Sequence, residues 1–239
     1  MDFKRYIHAH SDELLASLAA LVRIPSVEGD PEEGAPFGKE PARCLHEMLA
    51  LCEKLGFPTE NMDDRVGWCE YGEGEEMVAV LGHLDVVSAG DGWTESEPFS
   101  GEIKNGRIYG RGTMDDKGPM IAAVYALAAL KQSGFQPSRR IRVIFGTNEE
   151  TGCGDMAWYA SHGGEMPVMG FTPDGEYPLI NGEKGILNGT YTRTLHQTGD
   201  YILTRFEGGE ASNISPAYAV AEVNCPAEAA SKIAAEKVT

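Results

Sequence analysis

The sequence has few basic residues and no long apolar run. Lysine and arginine number 20 against 37 aspartates and glutamates, which gives a formal net charge of −17 at pH 7. This deficit argues against a nucleic-acid-binding protein, because phosphate recognition requires clustered basic side chains. The longest apolar stretch covers only Ile121–Leu130, which is shorter than the ~20 residues of a membrane-spanning helix. We therefore expect neither a nucleic-acid nor a membrane partner.

Cysteines are also sparse, and none of them forms a C-x-x-C pair. The five are Cys44, Cys52, Cys69, Cys153 and Cys225. An odd, scattered set favours reduced thiols over a disulfide framework. The first residues mix both charge signs and lack the apolar core of a secretory signal. The sequence thus predicts a cytoplasmic protein, and it gives no indication of the oligomeric state.

Hydrophobic periodicity predicts alternating helices and strands in the first three quarters of the chain. Apolar residues at helical spacing predict helices at residues 3–23, 40–55, 117–133 and 155–162. Short apolar runs predict buried strands at residues 77–81 and 141–145 and a third strand at 168–172. Asn105-Gly106 predicts a hairpin turn within residues 103–109. Strands that alternate with helices indicate a layered α/β domain.

The pattern changes after Gly185, where we place a domain boundary. Period-two patterns predict strands at residues 186–194, 201–206 and 218–224, followed by a helix at 226–237. We therefore divide the chain into a domain at residues 1–185 and the start of a second domain at 186–239. The second segment is short for an independent core, since small domains are only marginally stable. We expect that the chain stops before the fold is complete.

The first predicted strand runs directly into Gly82-His83-Leu84-Asp85. In α/β sheets, ligands bind at the carboxyl ends of the strands. A neutral imidazole can ligate a metal through one nitrogen while a nearby carboxylate holds the other N–H. A hydrogen-bonded core histidine fits the same motif equally well.

Carboxylates follow the hairpin and the other two predicted strands. Asp115 ends a glycine-rich loop, Glu149 and Glu150 follow the second strand, and Asp174 follows the third. Ordinary alternatives are helix capping for Asp115, a solvated turn for the glutamates and an Asx-turn for Asp174. If the strands are neighbours in one sheet, these groups converge with the histidine on one cleft. Such a set suits a two-metal hydrolytic centre, with Zn²⁺ preferred over other divalent ions.

Five ordered motifs resemble a known family. They are GHLDVV, DGWTESEPF, GRGTMDDKGP, GTNEETG and TPDGE, the last followed by NGEKG. They resemble the aminoacylase and carboxypeptidase-like family of zinc peptidases, and within it the PepV-type, carnosinase-like bacterial dipeptidases. The resemblance implies a three-layer αβα catalytic domain followed by the beginning of an α+β lid domain.

The resemblance also implies a ligand set for two divalent cations. By similarity, Asp115 would bridge the two ions, His83 and Asp174 would bind one of them, and Glu150 would bind the other. The ions would be Zn²⁺, with Mn²⁺ or Co²⁺ as alternatives.

Other residues receive roles from the resemblance alone. Glu149 would be the general base, and Asp85 would orient the ligating histidine. The peptide bond Asp115–Asp116 would be cis, and Asn213 would help to hold the substrate.

The expected activity is hydrolysis of a dipeptide amide bond by an activated water. Deacylation or desuccinylation of N-acyl amino acids by the same centre is an alternative. Members of the family are much longer than this chain and supply a final metal-binding histidine after the lid. His162 and His196 lack the sequence context of that ligand, and we interpret both as structural or surface residues. The chain is therefore expected to be an amino-terminal piece, and a fragment without turnover that binds fewer than two ions is the competing hypothesis.

Overall fold

The computed structural model describes residues 3–182, 184–185, 187–209, 216 and 218–233. The chain separates into two compact units, residues 1–180 and 181–239. The assignment of a catalytic domain and the start of a lid domain stays a prediction.

The first unit contains five helices in its described residues, 3–180. They are α1 (Phe3–Ala9), α2 (Ser11–Val22), α3 (Lys39–Lys54), α4 (Lys117–Gln132) and α5 (Gly154–Ser161). The prediction of one helix over residues 3–23 was wrong, because the helix is interrupted at His10, which has φ −112° and ψ 15°. Helix α1 ends at Ala9 and α2 begins at Ser11. The hydroxyl of Ser11 donates to the carbonyl of His8 at 3.1 Å across this break. The other three predicted helices are confirmed, with ends that differ by one residue.

The same described part of the unit contains seven strands. They are β1 (Thr59–Met62), β2 (Val66–Tyr71), β3 (Met77–His83), β4 (Glu102–Lys104), β5 (Arg107–Tyr109), β6 (Arg140–Gly146) and β7 (Met169–Phe171). Five of them form one mixed sheet in the order β1-β2-β6-β3-β7. Strands β3, β6 and β7 are parallel to one another, whereas β1 and β2 are antiparallel to their neighbours. The three predicted strands are therefore confirmed and lie side by side, although β7 is exposed.

The predicted hairpin is also confirmed. Strands β4 and β5 pair antiparallel. Asn105 and Gly106 connect them with φ values of 53° and 72°. Both residue types tolerate this left-handed conformation, which a two-residue hairpin turn requires.

Strands β1 and β2 were not predicted from the sequence, in part because β2 contains Gly67. A methyl group at this position would lie 2.8 Å from Leu45 Cδ1 and 3.1 Å from Leu49 Cδ1. Helix α3 therefore packs closely on β2, and a larger residue at this position would have to displace the two leucine side chains. The glycine interrupts the apolar pattern by which a buried strand is recognised.

Helices cover both faces of the sheet. Leu45 of α3, Met120 of α4 and Phe145 of β6 are fully buried in the larger core on one face. On the other face, Tyr159 of α5 packs with Val66 and Ile144. The arrangement is a three-layer αβα fold, as the sequence indicated.

The second unit contains strands β8 (Ile202–Gly208) and β9 (Ala219–Asn224) and the helix α6 (Ala227–Ile233). The two strands pair antiparallel. These elements confirm two predicted strands and the first part of the predicted helix, whose residues 234–237 lie outside the described residues. The strand predicted at 186–194 was wrong, since residues 187–194 form no strand. Across the described residues, every helix is too short or too polar to cross a lipid bilayer.

Candidate metal centre

The carboxyl ends of β3, β6 and β7 meet at one edge of the sheet. His83, the last residue of β3, pairs with Gly146, the last residue of β6. Strand β7 pairs with β3 on its other side through Phe171 and Val80. The turns that follow β6 and β7 therefore start beside His83. This adjacency confirms the condition under which the sequence predicted a shared cleft.

His83 presents one ring nitrogen to carboxylates from three separate segments. Its side chain is 2% exposed. Its Nε2 lies 3.0 Å from Asp115 Oδ1, 3.4 Å from Asp174 Oδ2 and 3.9 Å from Glu149 Oε2. A core histidine needs one hydrogen-bond partner, whereas this nitrogen faces three acidic groups. The surroundings favour a metal-binding role over the core alternative.

The other ring nitrogen of His83 faces Asp85. Nδ1 lies 3.0 Å from the main-chain oxygen of Asp85 and 3.3 Å from its Oδ1. The buried carboxylate of Asp85 also accepts the main-chain N–H groups of Glu149 at 3.2 Å and Glu150 at 3.1 Å. Asp85 therefore contacts both the histidine and the turn that carries the two glutamates. The first contact is the one that the resemblance implied, and the second was not predicted.

Within the part of the chain that the structure describes, two overlapping groups of side chains have the spacing of metal ligands. In one group, ligand atoms of His83, Asp115 and Glu150 lie within 4.8 Å of one another. In the other group, His83, Glu149 and Asp174 satisfy the same limit. Both groups use the same imidazole, and each adds two carboxylates.

The pKa values at the site show the mutual influence of these groups. Burial followed by the charge of Asp115 raises the pKa of Glu150 to about 7. Burial also raises the pKa of Glu149 and of Asp174. Burial by itself lowers the pKa of His83, but its hydrogen bonds to Asp115 and Asp85 outweigh this effect and raise the pKa to about 11. The hydrogen bond from His83 lowers the pKa of Asp115.

These residues fit a divalent cation. The site gathers several carboxylates around one imidazole, and like charges so close together are unfavourable unless a cation is present. Imidazole nitrogen and carboxylate oxygen are both ordinary ligands of Zn²⁺, and carboxylates also suit Mn²⁺. The donor set is therefore chemically suited to the cations expected from the sequence.

Asp116 also belongs to the site, although sequence analysis gave it no role. Its side chain is fully buried, and its Oδ2 accepts the main-chain N–H of His83 at 3.2 Å. A methyl group at Gly82 would lie 2.1 Å from this oxygen. The glycine before the histidine is the sequence signal that could have indicated a group packed against the end of β3. The peptide bond between Asp115 and Asp116 is cis, as the resemblance implied.

The other candidate residues lie away from this centre or outside the described residues. His162 is exposed, stacks on Trp158 with ring centroids 4.2 Å apart, and contacts the Trp158 carbonyl through Nδ1 at 2.9 Å. His196 is exposed in the second unit. Both positions agree with their interpretation as structural or surface residues. Asn213 lies outside the described residues.

Comparison with known proteins identifies the family. The profile of Peptidase family M20/M25/M40 matches residues 79–238, which is more than half of the chain. The chain belongs to this peptidase family. Membership implies use of a divalent metal, in agreement with the ligand groups around His83.

Two curated relatives show the relationship in sequence. The "Beta-Ala-Xaa dipeptidase" of Lactobacillus delbrueckii subsp. lactis is 40% identical over 240 aligned residues, which cover 99% of this chain and 51% of the relative. The "Putative dipeptidase YtjP" of Bacillus subtilis is 41% identical over 231 residues, which cover 95% of this chain and 50% of the relative. The chain therefore spans about half the length of these curated relatives.

Solved structures with the same fold come from distant proteins. Human carnosine dipeptidase 1 has a TM-score of 0.62 at 24% identity, covering 73% of this chain and 41% of that chain. The M20 family metallo-carboxypeptidase Sso-CP2 of Sulfolobus solfataricus has a TM-score of 0.53 at 21% identity, covering 67% of this chain and 37% of that chain. At these identities the likeness establishes the fold of the peptidase family.

Proposed function

We propose that this chain carries the metal centre of a dipeptidase that hydrolyses the amide bond of a dipeptide. The observation that supports this most is the convergence of His83 with carboxylates from three other segments at one edge of the sheet. The names of the curated relatives, which are dipeptidases at about 40% identity, support the substrate class.

The proposed centre holds two divalent cations, Zn²⁺ first, with Mn²⁺ or Co²⁺ as alternatives. Asp115 would contact both ions, His83 and Asp174 would hold one, and Glu150 would hold the other. Bound cations supply a Lewis acid that polarises the scissile carbonyl and lowers the pKa of water at the site. Burial of His83 and its contact with Asp85 keep the imidazole in a fixed orientation for this task.

Glu149 is the proposed general base. Its side chain is 45% exposed, so that water and substrate can reach its carboxylate. Glu149 takes a proton from the attacking water as the new bond forms between the water oxygen and the carbonyl carbon. It then gives this proton to the leaving nitrogen as the carbon–nitrogen bond breaks. The products are two amino acids, and Glu149 returns to its ionised form.

The substrate side chains are not defined by the described residues. Asn213, a proposed substrate-binding residue, lies outside them. N-acyl amino acids offer the same scissile amide without a free amino terminus, and their hydrolysis is the alternative within the family. We propose a small peptide as the substrate and the cytoplasm as the location. The reduced state of the five cysteines supports this location.

Hydrolysis assays on the purified 239-residue chain test this proposal. The panel contains β-alanyl and α-aminoacyl dipeptides, with N-acetyl and N-succinyl amino acids, each assayed with Zn²⁺, Mn²⁺ or Co²⁺. With the cation in excess, so that a weakly held second ion is also bound, we expect cleavage of dipeptides, loss of cleavage with a chelator, and recovery on adding the cation. Preferential cleavage of the N-acyl compounds would replace the dipeptidase with the deacylase. Cation binding without cleavage of any compound would favour the non-catalytic hypothesis.

Glu149→Gln is the matched variant for this assay. Glutamine keeps the size of the side chain but cannot accept the proton from water. We expect turnover to fall by roughly 10²–10⁴-fold, with cation content as in the unaltered chain. Normal turnover in a variant with normal cation content would refute the role of Glu149.

A further inference from the structure

Asp155, at the start of α5, is 1% exposed and has an unusual set of hydrogen bonds. Its Oδ1 accepts the main-chain N–H of Met156 at 2.7 Å. Its Oδ2 accepts the main-chain N–H groups of Thr147 at 2.7 Å and Asn148 at 3.0 Å. A carboxylate that only caps a helix accepts N–H groups of that helix. Two of these three donors belong instead to the turn after β6.

Asp85 binds the other half of the same turn. The N–H groups of Glu149 and Glu150 donate to the two carboxylate oxygens of Asp85. Four consecutive N–H groups, those of residues 147–150, are thus accepted by two buried carboxylates. Hydrogen bonds to an ionised acceptor are about twice as strong as neutral ones. The main chain that carries the proposed base and the proposed ligand is therefore fixed along its whole length.

Gly146, at the end of β6, leaves space for the Asp155 carboxylate. A methyl group at Gly146 would lie 2.5 Å from Asp155 Oδ2. The neighbouring strand β3 has the same arrangement, in which Asp116 Oδ2 occupies the space beside Gly82 and accepts the N–H of His83. At both strand ends, a glycine makes room for a buried carboxylate that holds the following main chain. Capping of α5 does not require a glycine and a buried carboxylate to be paired in this way at two strand ends.

We propose that Asp155 is a positioning residue, which fixes Glu149 and Glu150 relative to His83 through the main chain of the turn. The inference rests on the proposed function, since it assigns Asp155 a part in the same cation site. Among the described contacts, Asp155 touches none of the side chains in the two ligand groups. Its effect passes from the N–H groups of Thr147 and Asn148 along the main chain to the adjoining glutamates.

Two variants of the 239-residue chain disturb this contact in different ways. Asp155→Asn replaces one carboxylate oxygen with an NH₂ group, which cannot accept the N–H groups that face it. Gly146→Ala keeps the carboxylate but places a methyl group against it, so it serves if the first variant does not fold. The control is Tyr159→Phe, which removes the hydroxyl that donates to the carbonyl of Glu165 and accepts from Arg142, and which has no contact with the turn.

Amide hydrogen exchange measured by NMR, together with Co²⁺ titration, decides between positioning and capping. In Asp155→Asn we expect the amides of residues 147–150 to exchange at least ~10-fold faster and Co²⁺ affinity to fall by about 10–100-fold, the usual cost of losing a residue that orients metal ligands. Gly146→Ala should change both in the same direction by less, and Tyr159→Phe should change neither.

One result would contradict the positioning role of Asp155, and another would contradict the proposed function. Faster exchange confined to Thr147, Asn148 and Met156, with unchanged Co²⁺ affinity, would overturn the inference and leave Asp155 as a helix cap. An unaltered chain that binds no Co²⁺ would contradict the proposed function instead. The exchange of the Glu149 and Glu150 amides would then decide by itself whether Asp155 positions them.

Discussion

The environment of Glu150 at the edge of the sheet makes the stability of the chain depend on pH. Its pKa is raised to about 7 by burial and by Asp115. A carboxyl whose pKa is raised in the folded chain binds protons more tightly when folded than when unfolded. Its contribution therefore stabilises the cation-free chain in acid and is lost as the pH rises through about 7. Asp174 has a pKa raised in the same direction, so its contribution has the same sign.

A cation should reverse this loss, because it binds the deprotonated ligands. We predict that Mn²⁺ at about 100 times its Kd raises the Tm by roughly 5–10 °C near pH 8. The shift should be much smaller near pH 5.5, where a proton occupies Glu150. Scanning fluorimetry with and without Mn²⁺ at both pH values measures the two shifts. Equal shifts at both would show that these carboxylates do not bind the cation.

The end of strand β3 depends on the absence of a side chain at Gly82. A methyl group there would lie 2.1 Å from Asp116 Oδ2 and 2.2 Å from Met120 Sδ. We predict that Gly82→Ala lowers the free energy of unfolding by about 1–3 kcal/mol, the usual cost of an overpacked core. Urea denaturation monitored by circular dichroism provides the value.

Gly182→Ala is the matched control for this substitution. Apart from its neighbours in the chain, no heavy atom of the described residues lies within 4 Å of a methyl group at Gly182. Its effect should therefore stay within about 0.5 kcal/mol. Equal effects of the two substitutions would contradict the close packing of Asp116 on β3.

The elements that sequence analysis predicted and those that it missed differ in how they are stabilised. Strands β3 and β6 lie between other strands and are rich in apolar residues, so composition revealed them. Strand β2 contains Gly67, whose presence depends on contact with α3 and is invisible in a local pattern. Residues 187–194 have the alternation of a strand, but Leu187 and Tyr191 are 95% and 98% exposed. A strand requires a pairing partner, which alternation alone does not supply.

At the scale of the whole molecule, the cluster could be predicted because strand ends in an α/β sheet converge. His83, Glu149, Glu150 and Asp174 follow strands that proved to be neighbours. Asp115 comes from the loop before α4, and its place after the predicted hairpin included it among the converging groups. The hydrogen bonds from the glutamate N–H groups to Asp85 could not be predicted, because they depend on the spacing between two turns.

The chain spans about half the length of its curated relatives, so cation binding tests the account more directly than turnover does. Both ligand groups contain His83, and its single Nε2 can ligate only one ion. We therefore expect calorimetric titration of the unaltered chain with Zn²⁺ to show fewer than two tightly bound ions. A second ion held by carboxylates alone would bind more weakly.

The decisive measurement is this Zn²⁺ titration on the unaltered chain, His83→Ala and His162→Ala. His162 is the control because its Nδ1 contacts the Trp158 carbonyl on the surface. We predict that His83→Ala weakens tight binding by more than about 100-fold, beyond the usual effect of losing a residue that only orients ligands. His162→Ala should bind as the unaltered chain does. Equal Zn²⁺ affinity in His83→Ala and the unaltered chain would contradict the metal centre and the function proposed for it.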